Sequence, residues 1–276
     1  MPEDKQSLLN IINASGFLFQ LRVEREIRRM HQHRDANWAV VSREHRWTDP
    51  LSSSERFIDL VLQSYAGRMV VECKRVQDAT WVFLIDDGKV DIGRARLLWT
   101  YLTGEHGPAS GWDEFRFSYS SPESSFCVVR GQGEGDAPML ERLAGLVLRS
   151  TEVLAQQELQ MGTKRPYGPA WIYLPAIVTN AKLYISKFNP DEIDIQSGTL
   201  SDADFQAVPM VRFRKALSTT ITANNVVTSL QKAAEEQQRT VFVINADNLK
   251  SVLPGAEIFP FGTSGSDKWP WDDVIM

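Results

Sequence analysis

Cysteine is nearly absent: Cys73 and Cys127 are the only two in 276 residues. Two thiols make no disulfide framework, so a reducing, cytoplasmic setting is expected. No uninterrupted apolar run reaches the ~18 residues of a membrane span. The opening Met1-Pro2-Glu3-Asp4-Lys5 is too polar for a secretory segment, and no membrane partner is expected. Positive charge is not in excess either: 30 basic side chains face 35 acidic ones, a net −5. That balance excludes coating nucleic acid by bulk charge but leaves room for a local basic cleft. Histidine is scarce, at four residues. With no G-x-S-x-G elbow, a serine triad has little support. His31 and His33 have no further ligands at zinc-finger spacing and read as the cationic end of a helix. The run Gly131-Gln132-Gly133-Glu134-Gly135 lacks the G-x-G-x-x-G spacing of a nucleotide loop and reads as a turn.

What is present is a globular composition, with 43% hydrophobic residues, enough for a sizeable core. Apolar spacing predicts helices over residues 4–14, 17–31, 91–102, 137–160 and 223–238. Strands are expected over 38–42, 56–63, 68–74, 81–85, 126–129, 171–178, 183–188, 208–213 and 240–244. Residues 43–54 read as a polar connection, 104–125 as an irregular insertion and 262–273 as part of a loosely packed tail. Helices and strands alternate with no linker-like stretch between them. The expectation is therefore one α/β domain over 1–276, with a central mixed sheet flanked by helices and extra C-terminal strands. Arg212, Arg214 and Lys215 form either a basic stripe along a groove or the wet side of a half-buried strand.

Chemistry concentrates in the hairpin over 56–74. A four-residue loop over 64–67 pairs Gln63 with Arg68, and continuing that antiparallel register puts Asp59 opposite Glu72. Lys74, two residues on, projects from the same face as Glu72. Two carboxylates facing one another on an otherwise apolar hairpin are costly unless something pairs with them. Mg²⁺ resolves the conflict, because it takes carboxylate oxygens, keeps several waters and accepts a substrate phosphate. Lys74 then stands where its ammonium can orient a metal-bound water or stabilise charge on the phosphate, or where its neutral amine can deprotonate that water. The plainer alternative is a surface pair between Glu72 and Lys74 with Asp59 solvated nearby.

Asp59 followed by Glu72-Cys73-Lys74 on a hairpin, after a helix opened by Ser15-Gly16-Phe17-Leu18-Phe19-Gln20, resembles the D…E-x-K core of the restriction-endonuclease-like PD-(D/E)XK nucleases. Arg56-Phe57-Ile58-Asp59-Leu60 and Val70-Val71-Glu72-Cys73-Lys74 look like that family's second and third strands. The likeness covers about the first 75 residues well. It implies an α-β-β-β-α-β core and metal-dependent phosphodiester hydrolysis, with Asp59 and Glu72 as ligands of Mg²⁺ or Mn²⁺ and Lys74 as the catalytic lysine. Two positions depart from the pattern. Ile58 stands where a proline is common, and Gln20 stands where many members carry a glutamate that completes the metal site. Glu24, one turn on, is a substitute on the same helix face. The resemblance further implies DNA as the substrate, backbone contacts from Arg56, Arg75, Arg43 and Arg46, and a homodimer or partner subunit for cutting both strands. A catalytically degenerate module that only binds is the alternative.

Overall fold

The computed structural model describes residues 4–65, 67–77, 79–87, 93–102, 108–129, 139–162, 170–217, 229–256 and 258. The chain opens with two helices, α1 (Lys5–Ala14) and α2 (Phe17–Gln32). In α2 the residues Val23, Ile27 and Met30 recur at helical spacing and are buried, which fixes the face it turns to the sheet. Three antiparallel strands follow: β1 (Ala39–Thr48), β2 (Glu55–Gln63) and β3 (Gly67–Lys74). The β2–β3 turn closes through Ser64 N–H to Gly67 O at 2.9 Å. A Cβ on Gly67 would lie 3.1 Å from the Trp38 ring, so the turn is packed tightly against that side chain.

Next come β4 (Thr80–Asp86), β5 (Arg94–Tyr101), β6 (Ala109–Arg116), β7 (Glu123–Ser124) and β8 (Phe126–Val129). The long helix α3 (Met139–Gln160) leads into β9 (Ala170–Thr179) and β10 (Lys182–Phe188). The remainder comprises β11 (Asp204–Ala207), β12 (Met210–Ala216), α4 (Leu230–Gln237), β13 (Gln238–Asn245) and α5 (Leu249–Val252). Nine strands form one mixed sheet in the order β1-β2-β3-β9-β13-β12-β7, with β5 and β6 joined at the first half of β9. β9 runs parallel to β3 on one side and to β13 on the other. A second, four-stranded sheet has the order β11-β10-β4-β8. One apolar cluster fills the space between the large sheet and α2 and α5. The other lies on the opposite face, under α3 and the second sheet. Among the described residues, no helix is long and apolar enough to cross a membrane.

The fold is mixed α/β, as expected, with several local corrections. Residues 94–101 form the strand β5, not a helix, because six consecutive residues are buried and such a run carries no helical period. The irregular insertion contains β6, which forms a regular antiparallel pair with β5; residues 103–107 lie outside the described residues. β1 continues through Arg43, His45 and Arg46 as far as Thr48, since its partner β2 supplies the hydrogen bonds that the polar sequence did not advertise. The single sheet is two sheets. β8 is an edge strand with Phe126 and Val128 exposed. Arg212 and Arg214 make neither a groove nor a wet face. Arg212 is buried and bonds the Ser121 carbonyl, Arg214 pairs with Glu114 at 2.5 Å, and Lys215 pairs with Glu141 at 2.7 Å. Residues 223–228, the Gly131–Gly135 run and the 262–273 tail lie outside the described residues.

Candidate functional site

Four backbone pairs hold the β2–β3 hairpin in the expected register: Leu60 with Val71, Val61 with Val70, Leu62 with Met69 and Gln63 with Arg68. At the next position the backbone ladder stops. The Asp59 carboxylate takes over, its Oδ2 accepting the Cys73 N–H at 2.6 Å. Asp59 is thereby laid against β3 beside Glu72, at the carboxyl end of that strand. β9 and β13 end on the same side, which is where open α/β sheets place their ligands.

Glu72 and Lys74 are both half-buried and follow one another at strand spacing. Beyond the backbone ladder to β9, neither side chain makes a hydrogen bond, nor an ion pair within 4 Å, among the described residues. Burial pushes the Asp59 carboxyl up to about 6, with the Cys73 N–H opposing and the Glu44 charge adding. Burial, then the charge of Asp59, pushes Glu72 up to about 7, against the pull of Lys74 and Arg56. Burial also raises the Cys73 thiol, helped by the surrounding carboxylates, so that sulfur is no nucleophile at neutral pH. The two acids are therefore gathered without enough positive charge to offset them.

Glu44 is the residue that sequence reasoning missed. The pairs Arg43–Leu60 and His45–Ile58 flank it, so it stands across from Asp59. Its backbone is left-handed, with φ of 50°, a conformation costly for a side chain with a Cβ. Glu44, Asp59 and Glu72 thus form a row across β1, β2 and β3. Gln20, reaching over from α2, donates its amide N–H groups to the Glu44 carboxylate and, at 3.3 Å, to the Asp59 carbonyl. The signal was the register: had β1 been extended through residues 43–48, pairing with β2 would have put Glu44 opposite Asp59.

The remaining expected residues are placed as follows. Glu24 is buried on α2, accepting from Arg28 at 2.8 Å and lying 3.7 Å from Arg43, so its charge is already spent on two guanidinium groups. Arg46 pairs with Glu55, and Arg56 lies 3.3 Å from the buried Asp49. Arg75 donates to the Asn13 carbonyl, tying the end of α1 beside the hairpin. Arg43 and Arg46 keep most of their surface in solvent. Two cavities of about 400 and 440 Å³ lie elsewhere, one beside the second sheet at Ile185 and Pro209, the other between α2 and α5.

Among the described residues, no three His, Cys, Asp or Glu side chains are gathered closely enough to enclose a metal ion unaided. Mg²⁺ does not require that. It is commonly held by one or two carboxylates, with waters and phosphate oxygens completing the octahedron. Asp59 and Glu72 offer hard oxygen donors whose charge is not neutralised by the protein, and this donor set fits such an ion. No protein-family model, curated protein or solved structure matches the chain.

Proposed function

We propose that the chain is a metal-dependent nuclease of the restriction-endonuclease-like PD-(D/E)XK type, hydrolysing phosphodiester bonds in DNA. One observation carries the reading: Asp59 and Glu72 are brought together under-compensated, beside a lysine that has no ion pair among the described residues, at the carboxyl end of a central strand. The connectivity supports it. The sequence α2-β1-β2-β3, then α3 and β9 parallel to β3, follows the α-β-β-β-α-β order, with β4 to β8 inserted before α3.

Bound Mg²⁺ or Mn²⁺ would supply an acidified water and offset charge on the scissile phosphate. Asp59 and Glu72 hold the ion, and both act as carboxylates. Lys74 faces the same space, where its ammonium orients the water or stabilises the phosphate. Gln20 fixes Glu44 and the Asp59 backbone together. Arg43 and Arg46, with Arg56 and Arg75 closer in, supply contacts to the nucleic-acid backbone that position without reading sequence. A homodimer or partner subunit supplies the second centre needed to cut both strands. The free thiols Cys73 and Cys127 suit a cytoplasmic setting.

The test is cleavage of plasmid and oligonucleotide substrates with Mg²⁺ or Mn²⁺. Asp59→Ala abolishes cleavage, and Lys74→Ala lowers its rate by roughly 10²-fold or more. Wild-type protein that cuts neither duplex DNA, single strands nor RNA overturns the enzyme. One observation favours a second reading, a nuclease-like module that binds without cutting: the helix position that often carries glutamate holds Gln20, and its amide N–H is already given to Glu44. Mn²⁺ titration separates the two. Binding that Asp59→Ala removes supports the enzyme, and no binding supports the module.

A further inference from the structure

The first two helices leave an apolar surface that the described residues do not cover. Every residue of α1 is exposed or half-exposed and none is buried. Leu8, Ile11 and Ile12 share one face at i, i+3, i+4 spacing yet stand open to solvent, Ile11 at 61%. α2 buries Val23, Ile27 and Met30 on its inner side. Its first turn and a half is apolar on the outer side as well, with Phe17 at 65% and Leu18 and Leu21 also exposed. Only Ser15 and Gly16 separate the two helices.

At ~200 Å² per large apolar side chain, these six leave on the order of 600 Å² against water, the upper end of what a monomer tolerates. A standard interface takes ~800 Å² from each partner, of which roughly 60% is apolar, so about 500 Å² suffices. α1 also needs the cover. An isolated helix of its length is marginal in water, and Asp4 makes no side-chain capping bond to it. Its only charged residue is Lys5, so two α1 faces meet without opposing like charges.

We infer that α1 and the first turns of α2 form the isologous interface of a homodimer, Leu8, Ile11 and Ile12 of one copy packing on the α1–α2 surface of the other. A two-fold contact of this kind is self-complementary and needs no other protein to form. Arg75 anchors the end of α1 beside the hairpin, so the interface borders the candidate site in each copy. The surface stands independently of the nuclease reading, and its test does not use cleavage.

Sedimentation or light scattering of the full chain at micromolar concentration should give a dimer. Ile12→Glu and, separately, Leu21→Lys should each give a monomer with an unchanged circular dichroism spectrum, because both positions are exposed in the single chain. A monomeric wild type overturns the inference, including one that instead sediments with anionic phosphatidylserine vesicles. So does a dimer that survives both substitutions.

Discussion

At the scale of single residues, Asp59 and Glu72 are two carboxyls whose ionisation costs the fold. Asp59 and Glu72 are raised to about 6 and about 7, above their values in an unfolded chain, so the folded state holds protons that the unfolded state releases. Their contribution is fully present below about pH 4 and is lost as pH rises through the two folded values, on the order of 3 kcal/mol for each and less than twice that for the pair. Metal-free protein should therefore lose thermal stability between pH 4 and 8, and Asp59→Asn with Glu72→Gln should flatten that slope. An unchanged slope in the double variant would place the titration elsewhere. Glu44 adds a second, opposed pair of effects. Glu44→Gly relieves a left-handed backbone worth ~1 kcal/mol, so the melting temperature should rise while the carboxylate row, and with it Mn²⁺ affinity, is weakened. A variant that melts lower and binds Mn²⁺ as tightly would contradict both roles. Asp59, Glu72 and Lys74 were legible as charges interrupting strong β-formers. Glu44 was not, because nothing in Arg43-Glu44-His45-Arg46 looks like a strand until its partner is known.

At the scale of elements, the hairpin was readable because a short loop sets its register, and register decides which side chains meet. β5 was misread for the opposite reason: a strand buried on both faces shows no alternation, and its apolar run fits a helix as well. The layer between the large sheet and α3 carries the clearest energetic prediction. Arg68 of β3 and Glu158 of α3, both buried, pair at 2.9 Å. Tyr173 of β9 donates to the same carboxylate at 2.7 Å, and the guanidinium lies 4.0 Å from the Trp171 ring centre. Glu158→Ala strands a buried cation and should cost ~3 kcal/mol in urea unfolding, whereas Arg68→Met with Glu158→Leu should recover most of that loss. Equal losses in the single and double variants would mean that packing, not charge, holds α3 to the sheet.

At the scale of the whole molecule, β3, which carries Glu72, runs between β2 and β9 inside the large sheet, so the candidate site rests on a paired strand. β3 is paired along its length with β9, and α2 and α3 cover opposite faces. The second sheet was illegible because parallel pairing of β10 with β4 joins segments some hundred residues apart, and a single sequence carries no sign of which distant strands meet. An ion that binds only the folded protein stabilises it by mass action, so Mn²⁺ should raise the melting temperature of wild type at pH 8 and leave Asp59→Ala unmoved. The most direct measurement is anomalous diffraction from crystals soaked in Mn²⁺. A peak is expected between the Asp59 and Glu72 carboxylates in wild type and none in Asp59→Ala. Empty density there at saturating Mn²⁺, or the same peak in both proteins, would contradict the proposed metal site.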